Sequence, residues 1–92
     1  MMYPFMTFDD ETEIVHSEMN PDGQVKVYIE KPDEELCFRH ATCWLPEYKW
    51  EEIYAFSKEE ITKYQEIIES TAHLIMEFSQ EGGLSIAQES YE

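Results

Sequence analysis

Residues 57–80 constrain the fold more than any other stretch of this chain. "SKEE" opens a capping box, with Ser57 as N-cap and Glu60 three residues later reaching back to it. The spacing predicts a helix to about Gln80, stopped by Gly82 and Gly83, which tolerate a left-handed end. At about 100° per residue, Ile61, Tyr64, Ile67, Ile68, Thr71, Ala72, Leu74, Ile75 and Phe78 share one side, an arc roughly 160° wide against the ≳100° stripe that packing on one surface requires. Such a helix needs an extensive apolar surface to lie on.

The sequence before it supplies strands. "MNPDGQ", residues 19–24, is a hairpin turn in which Gly23 provides a positive φ. In "QVKVYIE" the residues Val25, Val27 and Ile29 face one way and their neighbours the other, the period of a half-buried strand. "TEIVHSEM" upstream reads as an edge strand. "EKPDEE", residues 30–35, reads as the next turn because Pro32 cannot donate to a ladder. "LCFRHATCWL", residues 36–45, is a third strand ended by Pro46. No helix separates these strands, so an antiparallel meander follows. The expected fold is α+β: a three-stranded antiparallel meander packed by one long C-terminal helix. Residues 1–83 form one domain and 84–92 a frayed tail.

"PEYKWEEIYAF", residues 46–56, is ambiguous. As a strand it aligns Tyr48, Trp50, Tyr54 and Phe56 but strands Glu52 among them and leaves Ile53 on the opposite face. As a helix with Pro46 at its first position it gathers Trp50, Ile53 and Tyr54 and leaves Glu47, Glu51 and Glu52 outside. The helical reading is preferred.

Charge excludes several functions. Twenty-one acidic residues against six basic ones give a net charge of −15. The balance is ten to three in residues 1–46 and eleven to three in 47–92, so there is no acidic tail but an even negative field. Such a field repels nucleic acid and anionic membranes. A basic protein partner is permitted. No apolar run reaches the ~18–20 residues of a membrane span, and "MMYPFMTFDD" lacks a signal-peptide pattern. With only two cysteines, a soluble cytoplasmic protein in a reducing compartment is the expectation.

Candidate chemistry is sparse. "CFRHATC" holds two thiols and an imidazole, but on a strand Cys37 and Cys43 share a face that His40 opposes. Six residues along a strand separate the thiols by about 20 Å, too far for a disulfide or one shared zinc. His73 lies one helical turn from Glu69 and from Glu77, yet that trio drifts round the solvent side and has no further ligand. "DDETE", 9–13, lacks the spaced acids and glycine of a calcium loop. No nucleophile elbow, phosphate-binding glycine loop or zinc-protease motif occurs. No catalytic residue, cofactor or metal is expected, and His16, His40 and His73 receive no role. Trp44, Tyr48, Trp50 and Tyr54 form either core between sheet and helix or a recognition platform.

In "FDDETEIV", "EKPDEELCFRHATCWLPEYKWEEIYAFSKEEI" and "IIESTAHLIMEFSQEGG" the chain resembles a family of small acidic bacterial proteins of unknown function from Gram-positive anaerobes. The resemblance runs to Gly83. It implies a bacterial origin and one compact domain, and carries no activity or ligand.

The function expected from these features is a non-enzymatic protein-interaction module. Three short strands leave Ile67, Leu74 and Phe78 on a helix flank that seeks another surface, so self-association as a homodimer is expected there. The alternatives are a small-molecule-binding protein or weak enzyme with an aromatic pocket at residues 44–56, and an acidic inhibitor of a basic protein.

Overall fold

The computed structural model describes residues 2–81. The helix lies on a sheet of five strands rather than three: β1 (Met2–Thr7), β2 (Glu13–Ser17), β3 (Val25–Asp33), β4 (Cys37–Leu45) and β5 (Lys49–Tyr54), followed by α1 (Lys58–Glu81). The strands pair antiparallel in chain order, a five-stranded meander. The α+β class and the single long helix stand as expected. The strand count does not. The helix stop at Gly82–Gly83 and the tail 84–92 lie outside the described residues. No helix among the described residues is long and apolar enough to cross a membrane.

Strand alternation sorts the side chains into two faces. Val25, Val27 and Ile29 of β3 stand opposite Leu45, Cys43 and Ala41 of β4, and Ile29 and Val27 also face Ile14 and His16 of β2. All of these are buried beneath the helix, which contributes Tyr64, Ile68 and Ile75 to the same core. Each fully buried isoleucine contributes about 1.5–3 kcal/mol.

The direction of α1 follows from what its ends touch. Near its start, Glu60 pairs with Arg39 of β4 at 3.5 Å, and Gln65 accepts from the Trp50 indole of β5 at 2.8 Å. Near its finish, Phe78 meets Phe5 of β1 with ring centroids 6.2 Å apart, and Ser79 meets His16 of β2 at 3.1 Å. The helix therefore crosses the sheet from the β5 side to the β1 side. A 24-residue helix is about 36 Å long, enough to reach from one edge of this sheet to the other.

The capping box forms as read. Ser57 N–H donates to the Glu60 carboxylate at 2.9 Å, and Glu60 N–H donates to Ser57 Oγ at 3.1 Å. The bond from Ser57 N–H holds the Glu60 carboxyl below its ordinary value. The cap is thus fully formed above the ordinary glutamate range and is lost as pH falls through the lowered value.

Two strands escaped the alternation test because each carries a bulge. In β1 the register passes from Pro4↔Val15 to Met6↔Ile14, leaving Phe5 as the extra residue. In β5 it passes from Thr42↔Glu51 to His40↔Tyr54, so Glu52 and Ile53 together oppose Ala41. Residues 46–56 are therefore not a short helix. β2, expected at an edge, is interior because β1 covers it. β3 also runs on through Pro32, which pairs with Phe38. The β2 ladder has ended by then, at Glu13↔Glu30, so Pro32 sits on an edge-like stretch where a missing N–H is tolerated.

The first two turns repeat one design. In residues 20–24, Gly23 N–H donates to Asn20 O, Asn20 N–H to Gln24 O and Gln24 N–H to Asp22 Oδ1, at 2.8, 2.8 and 3.1 Å. In residues 8–12, Glu11 N–H donates to Phe8 O, Phe8 N–H to Thr12 O and Thr12 N–H to Asp10 Oδ1, at 2.9, 2.8 and 3.1 Å. Gly23 takes φ +85° and Glu11, in the matching place, takes φ +70°. A left-handed non-glycine residue costs roughly 1–2 kcal/mol. Glu11→Gly is therefore expected to raise stability in urea by about 0.5–1 kcal/mol, the gain being reduced by glycine's unfolded-state entropy. Gly23→Ala, whose new methyl meets nothing within 4 Å, is expected to lower it by about 1 kcal/mol through φ alone. Equal and same-signed shifts for the two variants would show that the turns are not equivalent.

Candidate interaction surface

The face of the sheet away from the helix carries its own aromatic structure. Tyr28 on β3, His40 on β4 and Tyr54 on β5 stack side by side, with centroids 6.1 and 5.3 Å apart and planes within 25° and 21° of parallel. The register produces this row, since Tyr28↔Thr42 and His40↔Tyr54 place all three on one face. Trp44 lies on the same face and donates its indole N–H to Glu51. Thr42, between Tyr28 and Glu51, is buried under these side chains. Burial and the nearby Glu30 and Glu52 carboxylates raise the Tyr28 phenol above its ordinary value.

The β5 bulge divides the aromatic segment that the sequence left open between core and platform. Trp50, opposite Cys43, turns under the helix and packs on the core, as does Tyr48. Burial raises the Tyr48 phenol as well. Trp44 and Tyr54 stay on the outer face. The three helix residues proposed as an interface are all half-buried: Ile67 packs on the core, Phe78 meets Phe5, and Leu74 stands outside the core group.

Alternation also settles "CFRHATC". Cys43 is buried between Val27 and Trp50 and is a free thiol, which burial pushes up to about 12. Cys37 begins β4, exposed and free, with φ +71°. His40 faces the other way, in the tyrosine row. His73, Glu69 and Glu77 are exposed on the helix, where Glu69 accepts from Gln65 at 3.1 Å. Among the described residues no group of three or more His, Cys, Asp or Glu side chains could hold a metal ion.

His16 is the buried polar residue that the sequence left without a role. Its Nδ1 lies 2.9 Å from Ser17 O and 3.1 Å from Ser79 Oγ. The Ser79 hydroxyl donates its own proton to Ile75 O at 2.6 Å, so Nδ1 is the donor to both oxygens. Nε2 is buried without a partner beside the rings of Tyr3 and Phe5.

Sequence reasoning named Tyr54 but missed the exposed apolar residues grouped with it at one end of the sheet. Leu36, Phe38, Ile53 and Tyr54 are 43%, 47%, 44% and 45% exposed, four of the five large apolar side chains exposed among the described residues. The end of β5 lies beside the beginning of β4, and the Arg39–Glu60 pair brings the start of α1 to the same place. There an open cleft of about 430 Å³ is lined by Ile53, Phe56, Ser57, Lys58, Ile61 and Thr62. The acidic "PDEE" beside it is a turn. Asp33 accepts from Glu35 N–H, Leu36 N–H and Arg39 Nε, each at 2.9 Å, and the two backbone bonds lower its carboxyl most. One signal was available: Phe38 shares strand parity with Trp44, on the face away from Cys43.

No protein family, no curated protein and no solved structure matches the chain.

Two measurements check this description. A thiol reagent is expected to label Cys37 in the native protein within minutes and Cys43 only on unfolding, because Cys43 is buried with a raised pKa. Two equally fast thiols would place Cys43 at the surface. At position 16, His16→Leu is expected to stay within about 1 kcal/mol of wild type, since it keeps volume and removes an unpartnered atom, whereas His16→Ala is expected to lose about 2–4 kcal/mol. If leucine costs as much as alanine, the imidazole bonds rather than its volume hold that site.

Proposed function

We propose that this chain is a non-enzymatic protein-interaction module that docks through the end of the sheet where β4, β5 and α1 begin or finish. The observation that carries this reading is the set of exposed apolar side chains there, Leu36, Phe38, Ile53 and Tyr54, of which Ile53 also lines an apolar cleft. Small soluble domains scatter such residues singly, and their gathering marks an interaction site. The residues around the cleft supply no nucleophile paired with a base. Its open shape suits an inserted side chain better than an enclosed small ligand.

Self-association through the helix is the second reading. It is favoured by Leu74, half-buried and outside the group packed on the core. It has less surface to work with than three strands would leave, because β1 takes Phe78 and the core takes Ile67.

Mass in solution separates the two. Size-exclusion chromatography with light scattering, over a hundredfold range of concentration, is expected to give a monomer for the wild type and for Leu74→Asp. A dimer abolished by Leu74→Asp and unaffected by Ile53→Asp would transfer the interface to the helix and sink the sheet-end proposal.

A further inference from the structure

We infer that the sheet-end patch receives a basic polypeptide segment that places an apolar side chain in the cleft and lysine or arginine side chains over its rim. This rests on the interaction reading above and adds the chemistry of the partner. The apolar part of the argument is the cleft floor, Ile53, Phe56 and Ile61. The polar part is the charge around it.

Glu34 and Glu35 on the β3–β4 turn, Glu52 beside Ile53 on β5 and Glu59 in the first turn of α1 are exposed. Two of the three nearby cations are already engaged. Arg39 is tied to Asp33 at 2.9 Å and to Glu60 at 3.5 Å, and Lys31 to Asp10 at 3.5 Å. Only Lys58 lines the cleft without an ion pair among the described residues. The β5 bulge sets the exposed Glu52 next to Ile53, both opposite Ala41, so a carboxylate follows the cleft's apolar wall in the chain.

That rim discriminates between occupants. A second copy of this chain docked by a twofold axis would set the same carboxylates against themselves, which costs affinity. An acidic segment meets the same repulsion. A segment with apolar residues between lysines or arginines fills the cleft and compensates the rim at once.

The test uses three synthetic peptides of about twelve residues with the full-length protein, followed by amide chemical shifts. One carries a central leucine–valine–leucine flanked by lysine and arginine, one the same centre flanked by glutamate, and one the basic flanks with serine at the centre. The basic apolar peptide is expected to shift amides at 34–38, 51–54 and 58–62, and to lose about tenfold in affinity between low salt and about 0.5 M salt. Ile53→Ser and Glu52→Lys, both at exposed positions, are each expected to weaken it at least threefold while leaving the melting temperature near wild type.

Equal binding of the glutamate-flanked peptide at the same residues would overturn the basic partner and leave the interaction reading standing. Equal binding of the serine peptide, or shifts spread along the acidic face of α1, would reduce the effect to bulk charge and overturn the inference. Concentration-dependent shifts at the patch without peptide would give the site to a second copy. If no peptide moves these amides, both readings fall.

Discussion

The structure depends on one crossing: α1 laid over all five strands. Among the described residues almost every fully buried apolar side chain belongs to one core, the seam between that helix and the sheet. Ile68 and Ile75 fill the middle of it. The ends are held by polar bonds, Trp50 to Gln65 beside β5 and His16 to Ser79 beside β2. These bonds fix the heading of the helix, which hydrophobic burial alone leaves free to rotate on a twisted sheet. At its far end the arrangement leaves His16 Nε2 buried without a partner. That cost of desolvation, of order 1–3 kcal/mol, is offset locally by the burial of the imidazole among Tyr3, Phe5 and the helix.

The same crossing explains the width of the apolar arc. A helix aligned with a few strands needs a narrow stripe. One that traverses a five-stranded sheet meets successive strands at changing angles, and different residues serve each: Tyr64 with Phe56, Ile68 and Ile75 over the centre, Phe78 with Phe5. The arc was legible in the sequence and so was its need for cover. What filled the need was not, because the two outer strands that supply it break the period by which strands are recognised.

Those breaks have specific causes. "MYPFMT" has a proline in its middle and a bulge at Phe5. "KWEEIY" has a bulge with Glu52 at φ +54°. One inserted residue reverses the facing of everything beyond it, so Trp50 and Tyr54 cannot be placed by a single parity. The turns hide in the same way. Gly23 announces a left-handed position, but Glu11, Cys37, Tyr48 and Ala55 adopt positive φ without a glycine to mark them. Where the chain follows ordinary rules, as in residues 25–30 of β3, β4 from Phe38 onward, the Asn20–Gln24 turn and the Ser57 cap, residue-level reading found the elements and their facing. The exposed apolar patch fell between these regimes. Phe38 lies on a regular strand and was within reach of parity, whereas Ile53 takes its direction from the bulge.

The irregular outer strands also bear on what the surface can do. Among the described residues the open meander has two unpaired edges, each a template for further pairing. Pro4 and the Phe5 bulge blunt one. Glu51, Glu52 and their bulge blunt the other, and the chain's net charge of −15 makes approach of an identical copy unfavourable along either. The devices that discourage pairing at the β5 edge are therefore the ones that lie beside the exposed apolar side chains at its finish. Under the proposed docking of a cationic segment, the carboxylates that would repel a copy are the ones that would attract the partner. In this fold the bulge at Glu52 serves both ends: it stops the ladder, and it turns Ile53 into the cleft while keeping a carboxylate beside it.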